Sequence, residues 1–121
     1  MKLKNILLVV SDIEKSKAFY QELFGLRVIT DFGQNVILSE GLVLQEQKLW
    51  EASLGKQAVM GGNNSELYFE EYDMDSFLEK LKTSSWNITY ATECTEYNGG
   101  KRIVRFYDPD RHLIEVGEVI Y

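Results

Sequence analysis

Continuous apolar runs along this chain alternate with stretches in which apolar residues recur every three to four positions, and the sequence of patterns occurs twice. Ile6 to Val10 is an unbroken run rich in branched side chains, as expected of a strand covered on both faces. Ser11-Asp12-Ile13-Glu14 follows with the S-x-x-E spacing of a capping box, in which the serine hydroxyl and the glutamate carboxylate satisfy free amides at a helix start. The helix is expected to run to about Phe24 with Phe19, Tyr20 and Leu23 on one face, and Gly25 is placed to end it. Leu26 to Asp31, Asn35 to Ser39 and Leu42 to Gln45 read as short strands, with turns at Gly33 and Gly41.

The second half repeats the order. Glu66 to Tyr72 reads as a strand, and Asp73 is a candidate cap for a helix carrying Met74, Phe77, Leu78 and Leu81 at i, i+3, i+4 and i+7. Strands are expected at Ile88 to Thr92, Lys101 to Tyr107 and Leu113 to Glu118. Aligning Asp12 with Asp73 pairs Ile13 with Met74 and Tyr20 with Leu81, so the two helical faces coincide. The pattern predicts an α+β fold of two βαβββ modules, at about residues 1–47 and 65–121, joined by a connector at about 48–64. A ferredoxin-like βαββαβ arrangement has too few strands for these segments. Each module, at roughly 60 residues, is too small to bury a core comfortably alone, so the halves should fold together or with another chain. The connector carries Leu49-Trp50 and then Gly61-Gly62-Asn63-Asn64, a short helix followed by a flexible stretch.

Composition restricts the setting. The chain has 121 residues, 45% of them apolar, and a formal charge of −6. That charge disfavours a nucleic-acid binder or a ligand of anionic membranes, and no run is long enough to span a bilayer. The expectation is a cytoplasmic protein. A single Cys94 rules out an intrachain disulfide framework and a cysteine-rich zinc site, and fits a reducing compartment.

The tail Asp108-Pro109-Asp110-Arg111-His112 holds the only proline and histidine and feeds the strand that carries Glu115. Its aspartates can bond back to nearby amides, which gives a tight turn between two strands. His112 is expected to be exposed there. A carboxylate between Ile114 and Val116 faces either solvent or an enclosed site.

The opening Val10-Ser11-Asp12-Ile13-Glu14-Lys15-Ser16-Lys17-Ala18-Phe19-Tyr20, with Phe24-Gly25-Leu26 behind it, resembles the first module of the vicinal oxygen chelate superfamily. That superfamily includes glyoxalase I, bleomycin-resistance and fosfomycin-resistance proteins, and extradiol dioxygenases. The tail resembles the superfamily's closing D-P-D-G signature, with Arg111 in place of the usual glycine; a right-handed turn would accept it. The resemblance implies a curved mixed sheet with helices on its outer face, often assembled as a homodimer. It also implies a metal site among the first and last strands, whose positions here would be Asn5, Gln45, Glu66 and Glu115.

Metalloenzymes of that superfamily commonly carry histidine at the first-strand position, where this chain has Asn5. Zinc, nickel and iron sites depend on imidazole or thiolate, which none of the four positions supplies. An all-oxygen site for Mn2+ or Mg2+ is the alternative. Without a cation, two facing carboxylates require a positive partner, for which Arg105 on the neighbouring strand is the candidate. The leading expectation is therefore a metal-free binder of a small cationic or aromatic molecule, with no cofactor. Trp50, Tyr68, Trp86, Arg105 and Tyr107 are its candidate contacts. A metal-dependent lyase, isomerase or dioxygenase-type enzyme using Glu115 is the second expectation, and an assembly scaffold the third.

Overall fold

The duplicated pattern resolves into two four-stranded sheets of identical connectivity. The computed structural model describes residues 1–120. The first unit, Met1–Met60, contains β1 (Ile6–Val10), α1 (Ile13–Phe24), β2 (Val28–Asp31), β3 (Asn35–Leu38), β4 (Leu42–Glu46) and α2 (Gln47–Leu54). The second unit begins at Gly61 and contains β5 (Glu66–Glu71), α3 (Met74–Thr83), β6 (Thr89–Glu96), β7 (Arg102–Tyr107) and β8 (Leu113–Glu118). The sheet orders are β1-β4-β3-β2 and β5-β8-β7-β6. In each, the first and last strands of the unit run parallel and the other pairs antiparallel. This is the expected pair of βαβββ modules. None of the described helices is long and apolar enough to cross a membrane.

In the first unit α1 lies over β4 and β3 and buries Phe19, Tyr20 and Leu23. The strands supply buried Val36, Leu38, Leu42 and Leu44. The helix cap is Asp12, whose carboxylate accepts from the Lys15 amide at 3.1 Å, rather than the expected Ser11. An extended aspartate one residue later reaches the third amide equally well. Glu14 is drawn to Lys17 at 2.8 Å, and Lys17 also holds Asp31 on β2 at 2.9 Å. Gly25 ends the helix in the left-handed conformation, with φ of 66°, and returns its amide to Gln21 at 3.1 Å. The segment expected as a connector supplies α2, which packs on β4 and β1.

In the second unit Asp73 caps α3 by accepting from the Ser76 amide at 3.1 Å. The helix buries Met74, Phe77 and Leu81, and Phe77 meets Phe106 of β7 with ring centroids 6.2 Å apart. Val104, Phe106, Ile114 and Val116, fully or almost fully buried, face this helix, so the odd-numbered residues of β7 and β8 face away from it. Arg102 bridges Asp75 of α3 and Glu118 of β8, at 2.7 Å each. Strand β6 extends to Glu96, beyond the expected Thr92, because it follows β7 through two register shifts.

The turn between β7 and β8 is built on one buried side chain. Asp108, 4% exposed, accepts from the amides of Asp110 at 2.9 Å and His112 at 2.8 Å, and its second oxygen meets His112 Nδ1 at 2.7 Å. The expectation of an exposed His112 is therefore wrong: the side chain is only 20% exposed, drawn inward by that carboxylate. The right-handed turn is also corrected. Arg111 has φ of 68°, a conformation that costs a non-glycine residue about 1 kcal/mol. Its guanidinium lies over the Tyr107 ring, 4.8 Å from the centroid, an attraction of about 0.5–1 kcal/mol that offsets most of that cost.

Two predictions follow from this packing. Ser16 is completely buried and its hydroxyl has no partner among the described residues, so Ser16→Ala should leave stability unchanged or raise it by about 1 kcal/mol in urea unfolding; a loss of that size would show an unrecognised bond. For His112, burial lowers the pKa, but the bond and charge of Asp108 outweigh it and the net shift is upward. Its contribution is then complete below the ordinary histidine pKa of about 6.5 and fades as pH rises through the folded-state value. His112→Ala should cost more stability at pH 6 than at pH 9, and an equal cost at both would refute the charged pair.

Candidate functional site

The face of the second sheet turned away from α3 gathers the polar chemistry of that unit. The ladder sets Tyr68 of β5 opposite Glu115 of β8, and Glu115 opposite Arg105 of β7. Arg105 and Glu115 form an ion pair at 2.8 Å, with side chains 28% and 12% exposed. Arg105 also donates to the Tyr97 hydroxyl at 3.2 Å. The Tyr97 oxygen and the Glu115 charge raise the guanidinium pKa above its ordinary value, against the opposing effect of burial.

One pleat along, Lys101 donates to the Tyr68 hydroxyl at 3.0 Å. That bond, with the charges of Glu70 and Glu115, raises the lysine pKa and keeps it cationic. The Tyr68 ring lies on Gly117 of β8: a Cβ there would stand 3.0 Å from Tyr68 Cε1 and Cζ. Gly117 is not in a positive-φ conformation; its lack of a side chain makes room for the ring. Sequence reasoning missed Gly117, Lys101 and the Tyr97 bond. A glycine inside an apolar strand was the available signal for the first.

The four candidate metal positions are disposed as follows. Asn5 is exposed, just before β1. Gln45 of β4 uses its amide to donate to Asn35 of β3 at 2.9 Å. By ladder register Gln45 stands opposite Val9, whereas Leu7, the duplicate of Tyr68, stands opposite Val43, so Gln45 lies one pleat beyond the counterpart of Glu115. In the second unit, Glu66 and Glu115 share the open face, with Glu66 at the exposed start of β5 opposite Leu113. Among the described residues no group of three or more histidine, cysteine, aspartate or glutamate side chains could hold a metal ion. The donors do not fit the group the fold implies: of the two amides Gln45 is already bonded, of the two carboxylates Glu115 is held by arginine, and none of the four is an imidazole or thiolate.

Of the five candidate ligand contacts, four belong to the second unit and they do not all share one face of its sheet. Tyr68 and Arg105 share the open face. Tyr107 is on the same face by alternation, but its ring is covered by Arg111. Trp86 lines a separate cavity beside α3, and Trp50 lies half-buried in α2 of the first unit.

Two βαβββ units with this strand order define the vicinal oxygen chelate superfamily. A glyoxalase/bleomycin resistance protein/dioxygenase family enzyme from Burkholderia phytofirmans PsJN superposes with a TM-score of 0.76 at 17% identity, over 97% of this chain and 98% of its own. Within that class the chain belongs to the Glyoxalase-like domain family, whose model matches residues 3–121. The fosfomycin resistance protein FosX of Listeria innocua serovar 6a is 27% identical over 117 residues, covering 94% of this chain and 86% of that protein. A protein of unknown function from Agrobacterium tumefaciens str. C58 is 33% identical, with a TM-score of 0.84 over 99% of this chain and 95% of its own.

The seating of Tyr68 on Gly117 is directly testable. Gly117→Ala should cost about 1–3 kcal/mol in denaturant unfolding, because the ring must leave its place. In a Tyr68→Ala background the same change should cost almost nothing. Equal costs in both backgrounds would show that Gly117 serves some other purpose.

Proposed function

We propose that the chain is a metal-free small-molecule binder, holding its ligand on the open face of the second sheet. The Arg105–Glu115 ion pair at 2.8 Å carries this reading. A guanidinium at that distance neutralises the one candidate metal carboxylate that lies mid-strand, and it repels an incoming divalent cation. The remaining positions offer neither imidazole nor thiolate, which disfavours zinc, nickel or iron.

The same geometry describes the ligand. Tyr68 is 46% exposed, which leaves part of its ring for an aromatic group to stack on, beside the Lys101 ammonium already 5.6 Å from the ring centroid. The Tyr68 and Tyr97 oxygens each accept from a cation, which leaves each phenolic O–H free to donate to a ligand oxygen. Glu66 and Glu70 flank Tyr68 on that face and favour a cationic group. The ligand is therefore a small molecule with an aromatic or cationic part and an oxygen acceptor beside it. The similarity to a protein named for fosfomycin resistance supports the handling of a small foreign compound. Assembly as a homodimer, common among proteins of this fold, belongs to the same reading.

Elemental analysis with a melting scan over Mn2+, Mg2+ and Zn2+ separates binder from metalloenzyme. The binder should purify without stoichiometric metal and shift by less than about 1 °C with each ion. A retained metal, or a rise of several degrees with one of the ions, would overturn the metal-free reading and favour the metal-dependent enzyme.

A further inference from the structure

A cavity lies on the opposite side of the same sheet, between the C-terminal half of α3 and the edge strand β6. Its volume is about 470 Å3, within the range of small-molecule sites. Leu78, Leu81 and Val104 form an apolar floor. Trp86 and Tyr90 form aromatic walls, and Tyr90 is braced edge-on by Phe106 with ring centroids 6.4 Å apart.

A β-bulge furnishes the rim. Thr92 pairs with Arg105 and Thr95 with Ile103, so Glu93 and Cys94 together stand opposite the single residue Val104. Such a bulge re-aims side chains that strict alternation would send to the other face, and both residues line the cavity. Lys82, from the last turn of α3, lines it too. Neither Lys82 nor Glu93 has an ion-pair partner among the described residues. The cavity thus presents two aromatic faces, one unpaired ammonium and one unpaired carboxylate. Burial and the Glu93 charge raise the Tyr90 phenol pKa, which keeps that wall neutral.

We infer that this cavity is a binding site for a small zwitterionic aromatic molecule, its ring between Trp86 and Tyr90, its carboxylate toward Lys82 and its ammonium toward Glu93. Lys82 and Glu93 are both exposed to solvent, so an uncharged arene would use neither charge, and a zwitterion lacking a ring would leave the apolar walls wet. The site is independent of the open face, so either can fail without the other.

Cys94 reports on the cavity directly, because it is the only cysteine in the chain and is exposed. The test measures the rate at which iodoacetamide alkylates the full chain, with L-tryptophan as the probe. About 10 mM L-tryptophan should slow alkylation at least fivefold, as expected for a dissociation constant near or below 1 mM. Equal concentrations of indole or glycine should slow it less than twofold, as expected for an affinity at least about tenfold weaker than the probe's. Lys82→Gln and Glu93→Gln should each remove most of the protection while circular dichroism shows an unchanged fold. Calorimetry gives a second readout: N-ethylmaleimide-blocked protein should lose L-tryptophan binding, and Cys94→Ser should keep it. No protection by L-tryptophan would overturn the site. Protection that indole matches, or that survives both charge variants, would overturn the zwitterionic assignment.

Discussion

The pairing of Arg105 with Glu115 organises the second unit. Both residues sit mid-strand on neighbouring strands, so their ion pair fixes the register of β7 on β8 while occupying the middle of the open face. A lone carboxylate only 12% exposed would be costly to keep ionised, and the guanidinium removes that cost. Everything around it is arranged on this charge balance. Tyr97 accepts from the same guanidinium, and Tyr68 lies opposite Glu115 with Lys101 at its hydroxyl. The centre of the face is consequently polar, aromatic and internally paired, with the carboxylates of Glu66 and Glu70, unpaired among the described residues, at its edge on β5.

The architecture was legible in the sequence because both modules express it through strong local signals. Two aspartate caps, two helical stripes with Phe19 and Phe77 at their centres, and branched strands beneath them leave little choice of fold. The helix caps show where such reading is limited: Ser11 and Asp12 both satisfy the chemistry of an N-cap, and only the backbone direction selects Asp12. The site was legible only in part. Glu115 and its partner Arg105 could be paired because both lie on strands of well-defined phase. The counterpart in the first unit could not, since loop length sets strand register separately in each unit, and Gln45 falls one pleat away. Trp86 was expected among the ligand contacts, and it lines a cavity beside α3; its place depends on the loop after α3, which carries no periodic signal.

Two positions depart from the usual rules for glycine in opposite directions. Gly117 occupies ordinary strand conformation and is required by the neighbouring Tyr68 ring. Arg111 occupies the left-handed conformation that glycine would favour, and it is held there by Tyr107 and by close packing on Gly61, where a Cβ would come within 3.3 Å of Arg111 Cβ. Neither could be inferred from turn chemistry alone, because in both cases the cause is a tertiary contact. The bulge at Glu93 and Cys94 is of the same kind. It is invisible in the sequence, yet it turns the Glu93 and Cys94 side chains toward a cavity on the helix side of the sheet.

The central claim is that Glu115 is committed to Arg105 and unavailable to a metal ion. A crystal structure of the chain grown with millimolar Mn2+, with anomalous diffraction recorded at the manganese edge, tests it most directly. The account predicts no anomalous peak within bonding reach of Glu115 and an unbroken contact from that carboxylate to the Arg105 guanidinium. An ordered manganese ion bonded to Glu115, with Arg105 displaced, would contradict it.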